Sequence, residues 1–514
     1  MKIYDCGPDN KIRLYLRQLL TALAPLLGIT ASGMSNGYSA ILLPQLKSLA
    51  LNGSDFSADA GSAGHLGMLS IDQESWIAAA SVLPMAPGCW TGGFMAERFG
   101  RKKSVLLLFP VFFVGWLIIG LAGNVETLVA GRLLVGYCMG ILAPIVPIYV
   151  SETSDPLLRG ILLGAIGLSL SMGILACHAM GTWLHWRTTA YVCGALPLVC
   201  WLISLFSRES PMWLLARGEL ERAKRSWLFL RGEGSLEEFS LLETSRLAAV
   251  SRRQEAPSEQ KRWPAVLGSL QETWSSRHFL KPLAIVCLYF FTTQFAGANV
   301  MSFYCVEMLA NVPGLTDAYS ITLLIDAIRL TFGVIVCALM KSCDRRAMTF
   351  LSGFGVAGAL LSLSACLTFD IGQPWAPVLL LFVYIALLPL GLVPLPWLLC
   401  GELFATNTRE LGSGLASAFG FICFFVVIKT TPAMMEFIRP AGTFAVYGCV
   451  ALVGTSILYF VLPETKNKTL LEIQAILDRK PSALARLQNM DIPILKCEFI
   501  DKSASLKKDV APEK

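Results

Sequence analysis

Twelve apolar stretches, each near the roughly 20 residues a helix needs to cross a bilayer at 1.5 Å per residue, dominate the sequence. They fall near 19–44, 74–96, 104–122, 127–150, 160–181, 189–207, 282–306, 319–340, 348–368, 376–400, 412–434 and 442–462. Lipid offers no hydrogen bonds to a bare backbone, so a chain built this way folds into spanning helices that satisfy their own N–H and C=O groups. With 54% of 514 residues hydrophobic and 15% charged, the composition does not suit a water-soluble protein. No short apolar core with a small-residue cleavage site opens the chain, so the first span is itself the expected targeting signal.

Charge sets the expected orientation. Lys and Arg crowd one set of loops: "RFGRKK" after the second span, Arg159 after the fourth, thirteen basic residues from Arg208 to Lys281, and Arg345 and Arg346 after the eighth. By the positive-inside rule that side faces the cytoplasm, and an even number of spans leaves both termini there. The opposite loops hold only Lys47, Arg187 and Arg439, and the longest carries an N-glycosylation acceptor at Asn52. A second acceptor, at Asn467, falls on the cytoplasmic side and is expected to be silent. The net charge of +6 fits this membrane orientation, and no groove-reading motif points to nucleic acid. The fifteen cysteines show neither metal spacing nor a paired framework. Neither a metal nor a cofactor is expected, and no nucleophile with a base at useful spacing or phosphate-cradling loop suggests an enzyme.

A repeat organises the chain. Glu152 and Arg159 close the fourth span in "PIYVSETSDPLLRG", and the same spacing returns at Glu402 and Arg409 after the tenth. Arg101 and Lys102 follow the second span as Arg345 and Arg346 follow the eighth. Two like-oriented halves of six spans imply a parallel internal repeat with a binding site between them, the plan of alternating-access carriers. Ion pairs at the span ends are read as a latch that forms in one state and parts in the other. The expected division is a cytoplasmic N-terminus at 1–18, a first half at 19–207, a cytoplasmic helical linker at 208–281, a second half at 282–462 and a cytoplasmic tail at 463–514. Helical periodicity marks "PMWLLARGELERAKRSWLFLR" in the linker and a piece near "LLEIQAILDR" in the tail.

"GGFMAERFGRKKS" at 92–104, "GRLLVG" running into "PIYVSETSDPLLRG", "RESPMWLL" at 208–215, "QFAGANVMSFY" at 294–304, "PLPWLLCGELF" at 394–404 and "PETKNKTL" at 463–470 together resemble the sugar porters of the major facilitator superfamily. Within them the chain looks most like the insect-type facilitated trehalose and glucose transporters. The resemblance implies a twelve-helix, all-α membrane fold. It implies a latch of Glu97, Arg98, Arg101, Glu152 and Arg159 in the first half and of Arg345, Arg346, Glu402 and Arg409 in the second. Glu97 stands where the family has Asp, and "KSCDRR" at 341–346 damages the second arginine motif, so that latch is expected to be weaker or differently paired.

Neutral amides and an aromatic face recognise sugar hydroxyls and rings in a cavity that must also release. The resemblance assigns that work to Gln294, Asn299 and Trp397, with Trp397 also a gate; a Trp near the interface is otherwise a packing or anchoring residue. Positions five apart lie about 140° round a helix, so both amides face one cavity only if the helix bends, and Gly297 allows that. Gly167, Thr293, Pro389 and Gly420 depart from the family's polar set, which implies weak hexose affinity. Arg329 and Asp326 lie one turn apart in the eighth span, where a lipid-facing charge would cost about 2.5–3.5 kcal/mol or more. They face the interior either as a self-neutralised pair or with Arg329 binding an anionic substrate group. Lys429 reads as a structural or snorkelling cation, and His178 and His185 as interfacial residues or proton sites.

Ser35 occupies the first-span place where proton-driven family members carry an acid, so transport without proton coupling is expected. The function this implies is facilitative sugar transport, of trehalose or glucose, by a monomer in the plasma membrane. The alternatives are a carrier of organic anions or other solutes and a sugar sensor that does not transport.

Overall fold

The computed structural model describes residues 8–51, 69–244, 277–310, 318–369, 375–404 and 408–466, together with 468 and 473. Asn52, Asn467 and most of the helix expected at "LLEIQAILDR" lie outside them. Among the described residues all regular structure is helical. Eleven helical segments among the described residues are long and apolar enough to span a membrane. The run expected at 74–96 is present as two shorter helices, which accounts for a twelfth.

The first half begins with α1 (Pro8–Leu51), one helix well beyond the expected 19–44. It continues through α2 (Ile71–Ala79) and α3 (Met85–Phe99), α4 (Arg101–Leu121), α5 (Val125–Thr153), α6 (Pro156–Trp183) and α7 (Trp186–Phe206). Pro84 and Pro87 explain the break between α2 and α3, because proline removes a helical donor and clashes with the preceding turn. The linker supplies α8 (Pro211–Ala216) and α9 (Leu220–Arg231), broken at Gly218, whose φ of 81° suits glycine. Leu214, Leu215, Ala223, Trp227 and Phe239 give this platform a small core of its own.

The second half comprises α10 (Arg277–Phe295) and α11 (Val300–Ala310), α12 (Ala318–Ser342), α13 (Arg345–Phe369), α14 (Ala376–Leu387) and α15 (Leu395–Glu402), α16 (Arg409–Phe437) and α17 (Arg439–Val461). Gly297 separates α10 from α11 with a φ of 76°. A Cβ there would sit 2.9 Å from the Tyr447 ring, so both backbone and packing demand glycine. Pro389, Pro394 and Pro396 unwind the chain between α14 and α15.

Packing within the first half relies on small residues. A Cβ on Gly33 would meet Leu170 O at 2.1 Å, and one on Gly173 would meet Thr30 O at 2.0 Å, so α1 and α6 touch backbone to backbone. The halves meet where α6 faces α12, α1 faces α11, and α2 faces α16. Arg132 of α5 is fully enclosed in the first half. Its guanidinium donates to Ile77 O at 3.2 Å, to Ser35 O at 3.0 Å and to the Ser39 hydroxyl.

Candidate functional site

At the arginine-rich end each half builds one cluster, and the two clusters use corresponding residues. In the first, Arg101 Nη2 donates to Glu152 Oε1 at 2.8 Å, and Ser210 Oγ donates to Glu152 Oε2 at 2.5 Å. Glu209 Oε1 accepts the backbone N–H groups of Arg101 and Lys102 at 2.9 and 3.1 Å. These are donors that the start of α4 leaves unpaired, and a carboxylate there also complements the helix dipole. In the second, Glu464 accepts from the N–H groups of Arg345 and Arg346 at 3.1 and 3.0 Å, and Thr465 Oγ1 donates to Glu402 Oε2 at 2.5 Å. Arg345 Nη2 stands 3.9 Å from Glu402 Oε1, beyond hydrogen-bond reach. The altered "KSCDRR" segment therefore carries the looser ion pair.

Glu209 and Glu464 escaped the sequence reading as site residues, although Glu209-Ser210 and Glu464-Thr465 repeat just past the sixth and twelfth spans. The Glu-six-Arg spacing is not a bond: among the described residues Arg159 and Arg409 form no ion pair, and the Nε atom of each is buried without an acceptor. Glu97 and Arg98 are exposed, and their carbonyls accept from Arg217, with Trp213 also donating to Glu97 O at 2.8 Å. Every tie of these two clusters lies within one half or its flanking segment. Replacing Glu209 by Ala strips the α4 N-terminus of its partner and is expected to lower stability by about 1–3 kcal/mol. A detergent melting curve checks it; an unchanged midpoint would refute the assignment.

The opposite end is where the halves are joined. Lys47 of α1 pairs with Glu307 of α11 at 2.5 Å and with Glu74 of α2 at 3.0 Å. Lys429 of α16 reaches Asp72 at 2.6 Å and the Ser75 hydroxyl at 2.7 Å on α2, and lies 4.4 Å from the centre of the Trp76 ring. Deeper in the interface, His178 of α6 binds Asp326 of α12 through Nδ1, both being 2% exposed in their side chains. Lys47 and Lys429 thus prove to be cross-half ties, which charge counting along single segments does not detect. His185 caps α7 instead, and burial, then the nearby Arg187 guanidinium, hold its imidazole below the usual pKa.

The residues assigned to substrate lie between these ends. Asn299 Nδ2 donates to Gln294 Oε1 at 2.9 Å, so the break at Gly297 does bring the two amides together. Thr293 is turned away, its hydroxyl donating to Leu392 O at 2.7 Å. Trp397 is 43% exposed, and its ring rests edge-to-face on Phe290, with centroids 4.8 Å apart, and against Phe421 at 5.5 Å. Gly420 makes room for that seat, since a Cβ there would lie 2.7 Å from the Phe290 ring. Gly167 is exposed, with open space where a side chain would stand. Arg329 Nη1 donates to Ser302 Oγ at 2.7 Å and lies 3.6 Å from Asp326 Oδ1, while its Nη2 is buried without an acceptor. Asp326 is 1% exposed and committed to His178 and Arg329. Among the described residues no group of His, Cys, Asp and Glu could hold a metal ion.

The sugar (and other) transporter family matches residues 22–477. Facilitated trehalose transporter Tret1 of Apis mellifera ligustica is 27% identical over 492 residues, covering 93% of this chain and 92% of that protein. Tret1 of Drosophila mojavensis is 28% identical over 466 residues, covering 89% of this chain but 51% of that protein, so the chain spans about half the length of such relatives. Among solved structures, the partially occluded inward open conformation of the xylose transporter XylE from E. coli aligns with a TM-score of 0.69 at 19% identity, covering 88% of this chain and 99% of that one. The proton:xylose symporter XylE bound to 6-bromo-6-deoxy-D-glucose also gives 0.69 at 19% identity, covering 90% and 99%. The fold is that of the major facilitator superfamily.

Proposed function

The chain belongs to the sugar (and other) transporter family, and from that premise we propose that it carries a neutral sugar, trehalose or glucose, across the plasma membrane by alternating access, as a uniporter without proton coupling. The observation that carries this reading is the asymmetry of the ion pairs. Those at the arginine-rich end stay within a half or its flanking segment, while Lys47–Glu307 and Lys429–Asp72 at the opposite end cross between halves. A carrier closed to the outside and open to the cytoplasm has that arrangement, with the arginine-rich end and both termini in the cytoplasm. The 208–281 segment then acts as a cytoplasmic platform between two six-span halves, and a single chain suffices for function. Reopening outward breaks Lys47–Glu307 and Lys429–Asp72 and brings the two arginine clusters together.

The exposed face of Trp397 offers the sugar ring its stacking surface, with Gln294 and Asn299 exchanging their mutual bond for bonds to hydroxyls. Open space at Gly167 favours a disaccharide over a hexose. Uncoupled transport is supported by Arg132, whose partners are the neutral Ser35, Ser39 and Ile77. The unpartnered Nη2 of Arg329 favours a second reading, an anionic substrate. Reconstituted vesicles loaded with unlabelled trehalose, glucose or organic anions separate the two. Labelled trehalose is expected to exchange inward and to reach the same final level with or without a pH gradient. Sugar accumulation driven by the gradient would overturn uniport, and anion flux alone would overturn the sugar assignment.

A further inference from the structure

We infer that a cavity of about 200 Å³, between the start of α4, the end of α7 and the platform helices α8 and α9, binds the phosphorylated headgroup of an anionic lipid. Neither the transport cycle nor the identity of the sugar enters the inference. Only the leaflet rests on the orientation proposed above, which makes it the cytoplasmic one.

The charge of the site is one-sided. Lys102 of α4, Arg208 just past α7, and Arg222 and Arg225 of α9 line the cavity, and Glu209 is the one carboxylate among the described residues that line it. Glu209 is already committed. Its Oε1 accepts the backbone N–H groups of Arg101, Lys102 and Ser210, and its Oε2 lies against Gly100. Arg222 shares its charge with Glu219 at 2.5 Å. The other three cations form no ion pair among the described residues. Lys102 Nζ donates to Leu205 O at 2.9 Å and Ser207 O at 2.7 Å, Arg208 lies 4.9 Å from the centre of the Phe229 ring, and Arg225 Nε donates to Glu221 O at 3.4 Å. Such neutral partners leave the charges standing. Like charges gathered round one cavity repel, and an anion that enters relieves them. Phosphate suits the set, because guanidinium forks grip its oxygens in pairs while an ammonium holds it as a point charge.

The position of the cavity favours a lipid over a soluble phosphate. Ser207 closes α7 at the end of its span, and the last turns of that helix carry Leu202, Leu205 and Phe206, which are 52%, 45% and 83% exposed. In a bilayer acyl chains cover such side chains. Lys102 links the two surfaces, since its ammonium lines the cavity and is bonded to the backbone of Leu205. A cationic cavity beside an apolar helix end matches the two ends of one lipid, and basic pockets at this depth hold phosphorylated headgroups. Bound there, the headgroup bridges α9 to α4 and holds the platform against the first half.

Native mass spectrometry of the full chain in detergent tests the site, with phosphatidylinositol 4-phosphate compared against phosphatidylcholine. The phosphorylated lipid is expected to bind at least tenfold more tightly. Arg222→Gln combined with Arg225→Gln changes two exposed side chains and should abolish most of that preference. Lys103→Gln combined with Lys224→Gln removes two exposed cations outside the cavity and should preserve it. Wild type without a preference overturns the site, and so does an equal loss in both double variants, which would mark diffuse attraction to a basic surface. Inositol 1,4-bisphosphate carries the same phosphates without acyl chains and should compete only at far higher concentration; parity with the lipid would overturn the lipid as ligand. In nanodiscs the phosphorylated lipid should slow hydrogen exchange in Leu220–Arg231 several-fold, and unchanged exchange would overturn the bridge. An antibody that reaches an amino-terminal tag on intact cells would remove the proposed orientation, and the leaflet with it, while leaving the binding result in place.

Discussion

Trp397→Ala is expected to reduce sugar exchange at least tenfold while leaving the melting temperature within a few degrees of wild type. The ring rests against Phe290 and Phe421 while the residue stays 43% exposed, so its truncation removes exposed aromatic surface more than a piece of the core. A tenfold loss corresponds to ~1.4 kcal/mol, which one aromatic face against an apolar sugar surface readily supplies. Trp397→Phe, which keeps a flat ring on the same seat, should recover most of the flux. Counterflow of labelled trehalose measures both variants. Wild-type flux in the alanine variant would remove Trp397 from the substrate path, whereas a melting temperature lowered as much as the flux would mark it as packing alone.

Arg132→Ala should have the largest effect on stability. The side chain is fully buried and ties α1, α2 and α5 together through Ser35, Ser39 and Ile77, with the Tyr38 ring 5.8 Å away. Its removal leaves a cavity beside the Tyr38 ring, and each acceptor left without a partner costs about 1–3 kcal/mol. The expected result is little monodisperse protein and a melting transition lowered by many degrees. Arg132→Lys, which retains the charge but reaches fewer of these acceptors, should fall between. A stable alanine variant would mean that water or a rearranged helix replaces the guanidinium.

Much of this was legible one residue at a time. Span number follows from hydrophobic length, which lipid imposes locally, and the clustering of Lys and Arg supports the proposed orientation. The bend at Gly297 could be expected because two amides five residues apart needed it. Other features were not legible. Glu152 and Arg159 share a spacing without sharing a bond, and the partner of Glu152 is Arg101, two spans earlier. The partners of Lys47, Lys429 and His178 were not legible, because each is paired across the interface with a residue more than a hundred positions away.

The amino-acid order determined by itself that this chain lies in a membrane as a repeated six-span unit, because burying backbone in lipid leaves helices as the solution for runs of that length. The tertiary structure decided which charges meet. Hydrophobic length acts along a single segment, while an ion pair depends on the distance between two, and that distance exists only after the halves have packed.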